Sequence, residues 1–563
     1  MEWTERFLHK PPFAESKGAC RDSHRGLPLF TVIPGTSGNQ LVRASLPFPP
    51  GALPVDCGLT ISGGNRAITP DLRVLTVHPG SPVSIRRAIV SFPYVFKGKD
   101  PVVFAIAAGG LLSAKPAEVL SQCEFHGGFP GVSIDLNPSG ICIELDSAEH
   151  GLLKAELTAP DRASGPAEPV LEVIEQSNHY LWVRLFIPDV SWPRIIEVRA
   201  DSLGTVCVRG HLQRGDPVGA TAPDFGWRLH GAAGARFESP NAARQGDEKG
   251  GPHKFFGRDA MDVRLSDFRL QFPTAHLDRR GGLEMTSAAE HSEITYHRCR
   301  ETEGVPHQEG AWREAAFTFG PRTSARINPF LEPDHRIIVA PEYYEALYGC
   351  GEELDLTQWP DLERLQSFHR EGIAHGVLQG DDYGNFAGYP PASPTMNRLN
   401  FCPPIFAEYF LSGCVGIRAS ALAWCVNNYD IGIYWNAPDE EKKIRPGWAG
   451  EQFFGGTRYN NMNDRKGIED NNFAWRSNSA VTFCTKGFDP FFYAWEETGD
   501  PRMAVALHWQ IEYARQNIRA SKSTREVGVA RDWVALHRFT GRECYLSEAL
   551  KLYHDLQTVL TPR

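Results

Sequence analysis

Three times in its last third the sequence repeats one pattern: an apolar helix, a turn centred on glycine, and an alanine-rich helix. The first copy runs from Phe401 to Leu411, turns at Ser412-Gly413 and resumes from Gly416 to Tyr429. The second runs from Ala480 to Glu497, turns through Thr498-Gly499-Asp500-Pro501 and continues to Ile518. The third runs from Arg525 to Phe539, turns at Thr540-Gly541 and ends near Leu556. Glycine stops a helix because it enters the left-handed region without steric cost, and Pro501 opens the next helix where no amide donor is needed. Hairpins repeated in this way must stack, since each has an apolar face that only a neighbour can bury. The expectation is an α/α array.

The spacing of the turns locates an insertion. Gly413 and Gly499 lie about twice as far apart as Gly499 and Gly541, and the surplus falls between Asp430 and Ser479. That stretch is rich in Gly, Asn and aromatic residues, as binding loops and lids are. If the tight turns share one end of the array, the insertion emerges at the other, where the segment Leu378 to Asn400 also joins the first hairpin. Two polar loops are therefore expected to converge on one face.

The 563 residues carry a net charge of −10 with no long run of either sign, so nothing in the sequence draws nucleic acid or an anionic membrane. No stretch approaches the ~20 apolar residues of a membrane span. The opening MEWTERFLHKPPF lacks the apolar core of a secretory signal, which makes the cytoplasm the expected compartment unless a leader was removed before Met1. Twelve cysteines stand singly, without CxxC pairs or Cys/His metal spacing, as expected of buried thiols in a reducing compartment.

From Gly26 onward the chain reads as short strands, among them DLRVLTVH, VSIRRAIVSF, VVFAIAA, YLWVRLFI and RIIEVRA, separated by turn residues. This pattern predicts a barrel or a sandwich over 26–230. A polar, small-residue stretch at 231–257 reads as a linker. A second β-pattern over 258–341 reads as a small sandwich, and 342–563 as the helical array. The expected class is a multidomain β + α protein.

Short motifs then carry a resemblance. The run Leu41 to Leu53 (LVRASLPFPPGAL) resembles the opening of the RIFT-type β-barrel in the exo-acting rhamnogalacturonan lyase, or YetA-like, family, although Ser45 stands where that family has glycine. Met261 to Pro273 is similar to the stretch that opens the family's β-sandwich, and Gly310 to Phe319 to the strand after it. GDDYGNF at Gly380, TMNRLNF at Thr395 and GGTRYNN at Gly455 resemble the start of its α/α toroid. The resemblance implies three domains in that order, with a toroid that is incomplete. Such toroids take five to seven hairpins, so either the chain is incomplete relative to the family or the array is an open arc. An open arc would expose an apolar flank at its last hairpin, which predicts a missing partner segment, oligomerisation or poor solubility.

The resemblance also implies a β-eliminating lyase. Its chemistry needs a base for the C5 proton of a uronosyl unit, an acid for the departing O4, and cationic or amide groups against the enediolate that forms. Arg458, Tyr459 and Asn460 offer those types in sequence, and Tyr383, Asn397 and Arg398 offer them on the facing loop. Asp381, Asp382, Asn385, Asn400, Asn428, Asn461, Asn472, Trp448, Trp475 and Arg525 are the expected substrate-binding residues. Plainer roles stand beside these. TRYNN could be a capped turn, Asn397 and Asn400 could cap the helix that follows, and the basic group Arg519, Lys522 and Arg525 could complement a helix dipole. Asp381-Asp382 could be a solvated turn or could hold a calcium ion that neutralises a uronate.

The expected partner is an acidic oligosaccharide or polysaccharide, with oligomerisation open. Two other functions remain. A glycoside hydrolase would draw its acid and second carboxylate from Asp381, Asp382, Glu451, Asp464, Glu469 and Asp470. A non-catalytic glycan-binding or scaffold protein would keep only part of a cleft.

Overall fold

The structure is a computed structural model that describes residues 26–64, 66–78, 83–109, 118–120, 123–145, 152–158, 168–188, 194–213, 225–231, 237–238, 261–265, 268–272, 282–287, 292–298, 312–321, 335–348, 402–413, 415, 417–418, 421–422, 425, 488–517 and 526–560. Two compact units divide the chain: residues 114–333 with 1–8, and residues 9–113 with 334–563. All four sheets are antiparallel, and none of them closes on itself among the described strands.

The second unit starts with seven strands. β1 (Leu29–Pro34), β3 (Leu59–Gly63), β4 (Arg66–Ile68) and β7 (Val102–Ala108) lie in one sheet. β2 (Gly38–Pro47), β5 (Asp71–His78) and β6 (Ser84–Phe96) form another, in the order β2-β6-β5. Period-two alternation is visible in β1 and β2, where Phe30, Val32, Val42, Ala44 and Leu46 point inward. β5 and β6 are buried almost throughout. Strands of that kind need cover on both faces.

The first unit holds β8 (Glu118–Leu120), β9 (Phe125–Phe129), β10 (Val132–Asn137), β11 (Gly140–Leu145), β12 (Leu152–Thr158), β13 (Val170–Gln176), β14 (Tyr180–Ile187), β15 (Arg194–Asp201), β16 (Val206–Gln213), β17 (Phe225–Gly231), β18 (Phe237–Glu238), β19 (Met261–Leu265), β20 (Phe268–Phe272), β21 (Gly282–Ser287), β22 (Ser292–Arg298) and β23 (Trp312–Pro321). They make a nine-stranded sheet, β18-β19-β20-β23-β16-β15-β14-β13-β8, and a seven-stranded one, β21-β22-β17-β12-β11-β10-β9. One apolar core, with Ile134, Ile143, Val183, Val198, Trp227 and Phe317 at its centre, joins the inner faces of the two. The strands between 261 and 321, read from sequence as a sandwich of their own, extend these same sheets: β23 pairs with β16, and β22 with β17. The range 26–230, read as one barrel, supplies strands to both units. Alternation reports which residues face inward, but it carries no information about a partner strand a hundred residues away.

The opposite face of the nine-stranded sheet is also buried, and it is charged. Glu172 faces Arg184, Arg184 faces Glu197, and Glu197 faces Arg209 across four neighbouring strands. Signs alternate from strand to strand, which is the arrangement that cross-strand pairing favours. Beside this row the Arg199 guanidinium lies 3.7 Å from the Trp182 ring centroid.

β24 (His335–Val339) returns to pair with β1, completing a five-stranded sheet in the order β24-β1-β7-β3-β4. Helices follow: α1 (Pro341–Tyr348), α2 (Cys402–Ser412), α3 (Asp489–Thr498), α4 (Pro501–Asn517), α5 (Glu526–Thr540) and α6 (Glu543–Leu560). Gly413, Gly499 and Gly541 take φ of 60°, 64° and 66°, and each amide donates to the carbonyl four residues back. The second and third turns share a further device. The Thr498 and Thr540 hydroxyls donate to the carbonyls of Ala494 and Leu536 and accept from the amides of Asp500 and Arg542, each two residues further on. The second and third hairpins expected from sequence are thus present as α3–α4 and α5–α6, while most of the second helix expected for the first hairpin lies outside the described residues. α3 and α5 pack through Phe492 and Phe539, stacked at 4.0 Å.

Candidate functional site

Arg86 and Arg87 are neighbours in β6, so regular alternation would send one of them outward. Both are buried, at 3% and 0% exposure. The reason is a double irregularity in the β5–β6 ladder: Val74 pairs with Ala88, Thr76 with Arg87 and Val77 with Ile85, which leaves Leu75 and Arg86 unmatched. Bulges re-aim side chains. Both arginines therefore reach α3, and the freed Leu75 carbonyl accepts the Trp495 indole N–H at 3.2 Å.

Two glutamates of α3 receive them. Glu496 Oε1 accepts from Arg86 Nε at 2.9 Å and from the Thr76 hydroxyl at 2.5 Å, while its Oε2 accepts from the Tyr348 hydroxyl at 2.5 Å. Glu497 accepts from Arg87 at 3.0 Å, from Arg418 Nε at 2.7 Å and from the Tyr409 hydroxyl at 2.9 Å. Aromatic rings enclose the cations. Arg86 lies 5.0 Å from the Phe539 centroid and Arg87 5.4 Å from that of Tyr344, within cation–π range.

The same arginines satisfy backbone. A helix leaves its last four carbonyls without partners, and its C-terminus carries partial negative charge. Arg86 donates to Leu347 O at the end of α1, and Arg336 Nε to Ser412 O at the end of α2. Glu496 O and Gly499 O at the end of α3 accept from Ser45 with Arg87, and from Arg73. Three helix C-termini are thus met by arginines from strands. A Cβ on Gly499 would sit 2.8 Å from Arg73 and Leu75, and one on Gly413 would sit 2.3 Å from the Ile337 carbonyl. The glycine turns face the strands.

Titration follows this geometry. Burial, reinforced by the Arg86 charge, lowers His78 to about 3, so the neutral ring donates to Phe48 O at 2.7 Å. Burial and the Arg418 charge lower His335 to about 4. Burial raises Tyr344 to about 12 and holds Tyr348 and Tyr409 well above the ordinary phenol range. Every glutamate oxygen already has a partner and the carboxyls are 0% and 5% exposed, so this cluster fastens helices to a sheet and offers no seat for a substrate.

At the other end of the helices stand Cys402 at the start of α2, Asp489 at the start of α3, and Asp532 within α5. Asp532 is 1% exposed, and its Oδ1 accepts from Arg531 Nε and Nη2 at 3.1 and 2.7 Å. Burial, then the charge of Asp489, push its carboxyl well above the usual range. Burial and a hydrogen bond to Cys425 raise the Cys402 thiol. All the described cysteines are free. Among the described residues no three His, Cys, Asp or Glu side chains are grouped to hold a metal ion, and no helix is long and apolar enough to cross a membrane.

The residues singled out from sequence, Arg458, Tyr459, Asn460, Tyr383, Asn397 and Arg398 with Asp381, Asp382, Asn385, Asn400, Asn428, Asn461, Asn472, Trp448, Trp475 and Arg525, lie outside the described residues. Sequence reasoning missed the Arg86-Arg87 and Glu496-Glu497 pairs and Asp532. A signal existed for Asp532, which occupies an inward position of α5 beside Val529, Trp533 and Leu536. A charged residue in an apolar stripe is buried for a reason. No protein-family model and no curated protein matches the chain.

Proposed function

We propose that the protein is a polysaccharide lyase that cleaves an acidic, uronic-acid-containing glycan such as rhamnogalacturonan by β-elimination. In this reading the sheets belong to RIFT-type barrel and sandwich modules and the hairpins to an incomplete α/α toroid. The observation that carries it is the common direction of the glycine turns: Gly413 and Gly499 abut strands, so the starts of α2 at Cys402 and of α3 at Asp489 share the far end. The two polar stretches, 378–400 and 430–479, connect to the helices there. Asp532 and Asp489 are buried toward that end of the helices.

The reaction removes the C5 proton of a uronosyl residue, forms the C4–C5 double bond and expels the O4-linked sugar, which takes a proton as it leaves. Tyr459 serves as base, Tyr383 as acid, and Arg458 with Asn460, Asn397 and Arg398 stabilises the enediolate. Incubation with a panel of acidic polysaccharides, with and without chelator, is expected to raise near-ultraviolet absorbance from the unsaturated uronosyl end. Arg458→Ala and Tyr459→Phe should each lower that rate by about 100-fold or more. New reducing ends without absorbance would establish a hydrolase instead, and neither product would leave a glycan-binding or scaffold role.

A further inference from the structure

Seven large apolar side chains are exposed among the described residues, and four of them, Val534, Leu550, Tyr553 and Val559, belong to the α5–α6 hairpin. Three of these share one flank. The side of α5 toward the preceding hairpin carries Trp533 and Phe539, which meet Phe488 at 5.2 Å and Phe492 at 4.0 Å. On α6 the corresponding side carries Glu548, paired with Arg515 of α4 at 3.4 Å. Leu550 and Tyr553 follow Glu548 by two and five residues, which at ~100° per residue puts them across the helix from it. Val534 lies on the outward side of α5, at 40% exposure against 2% for Trp533. The hairpin therefore has one flank filled by its predecessor and a second flank of matching apolar character.

We propose that this second flank is the contact surface of a symmetric homodimer, in which the α5–α6 hairpin of one copy stacks on that of the other. The contact continues the hairpin-on-hairpin interface already present between α3–α4 and α5–α6, and a second copy supplies a flank of the same kind. A two-fold axis parallel to the helices lays α5 of one copy antiparallel to α6 of its partner. Arg538, exposed in the last turn of α5, then approaches the partner's Glu543, exposed in the first turn of α6. An α6 of 18 residues is ~27 Å long, and two helices side by side present roughly 500 Å². That is less than the ~800 Å² per partner of a standard interface, so the dimer is concentration-dependent in the micromolar range.

Sedimentation velocity of the full chain from about 1 to about 100 µM brackets such a constant. The expected result is a monomer–dimer transition within that range, slower amide exchange over 546–557 at the upper concentrations, and loss of both in Leu550→Glu/Tyr553→Glu. Both side chains are half exposed, so circular dichroism and the melting temperature of that variant should match the parent. A monomer at every concentration overturns the proposal. So does a dimer that survives the double substitution, and so does protection of 546–557 that is independent of concentration, which would mean that the chain covers the flank itself.

Discussion

Each unit buries a set of charges, and the two sets are assembled in different ways. In the nine-stranded sheet Glu172, Arg184, Glu197 and Arg209 are register neighbours, so forming the ladder of strands brings them together with nothing further required. In the sheet–helix unit the partners of Arg86 and Arg87 are 410 residues away in α3. One array is a by-product of local pairing, and the other is a condition on tertiary docking. The difference implies that damage to the first loosens a sheet, whereas damage to the second detaches a helical array from its base.

Glu496→Ala should break this contrast most severely, since it strands Arg86 and removes the acceptor of Thr76 and Tyr348. Breaking a buried ion pair from one side costs about 3–5 kcal/mol. Hydrogen exchange should report that loss in α3 and α5 and leave the strands of the nine-stranded sheet unchanged.

Acid should separate the units next. Unfolded His335 takes up a proton near pH 6.5 and the folded ring only near 4, so its contribution to stability is lost as pH falls between those values, by roughly 3 kcal/mol. Asp201 runs the other way. Burial raises its carboxyl to about 6, so its contribution is present below about pH 4 and is lost as pH rises toward 6, again by roughly 3 kcal/mol. His335→Gln and Asp201→Asn should therefore change the pH slopes of their own units with opposite signs, measured as unfolding free energy against each parent. Asp532 is also raised and tilts the sheet–helix unit in the direction of Asp201, which makes the difference from the parent the quantity to follow.

A smaller effect is expected at the turn. Gly499→Ala forces a Cβ into the left-handed region and against Arg73, and should cost the sheet–helix unit about 1–3 kcal/mol. Smallest of all should be the joint replacement of Glu172 and Arg184 by leucine and methionine. Their nearest charged atoms are 3.6 Å apart, and exchanging a whole buried pair for apolar residues is often neutral, within about 1 kcal/mol. A large loss there would show that the ladder is as much a tertiary fastener as the α3 cluster.

The helical hairpins were legible because their signals are local: a glycine four residues after its acceptor carbonyl, an apolar stripe, a proline at a helix start. Strands such as β5, β6, β14 and β15 were legible for the same reason. Their partners were not, because β24 meets β1 and β23 meets β16 across long stretches of chain with no local trace of the pairing. The run VSIRRAIVSF was read as a strand, yet alternation could not predict that both arginines turn inward, since that depends on the bulge opposite Thr76. The lyase residues were chosen from loop composition and from a family likeness, and loop chemistry leaves no periodic mark that a fold could be checked against. Asp532 is the instructive omission, because its register was already implied by its neighbours.

The separation between Arg86 and Glu496 also has a temporal side. A ribosome working at about 5–20 residues per second needs roughly 20–80 s to travel from one to the other. For that interval the emerging β2-β6-β5 sheet holds cations and apolar faces whose helical cover has not been synthesised, while the strands of 118–321 can already pair among themselves. During that interval the unpaired sheet and its apolar faces are the part of the chain most exposed to misassembly.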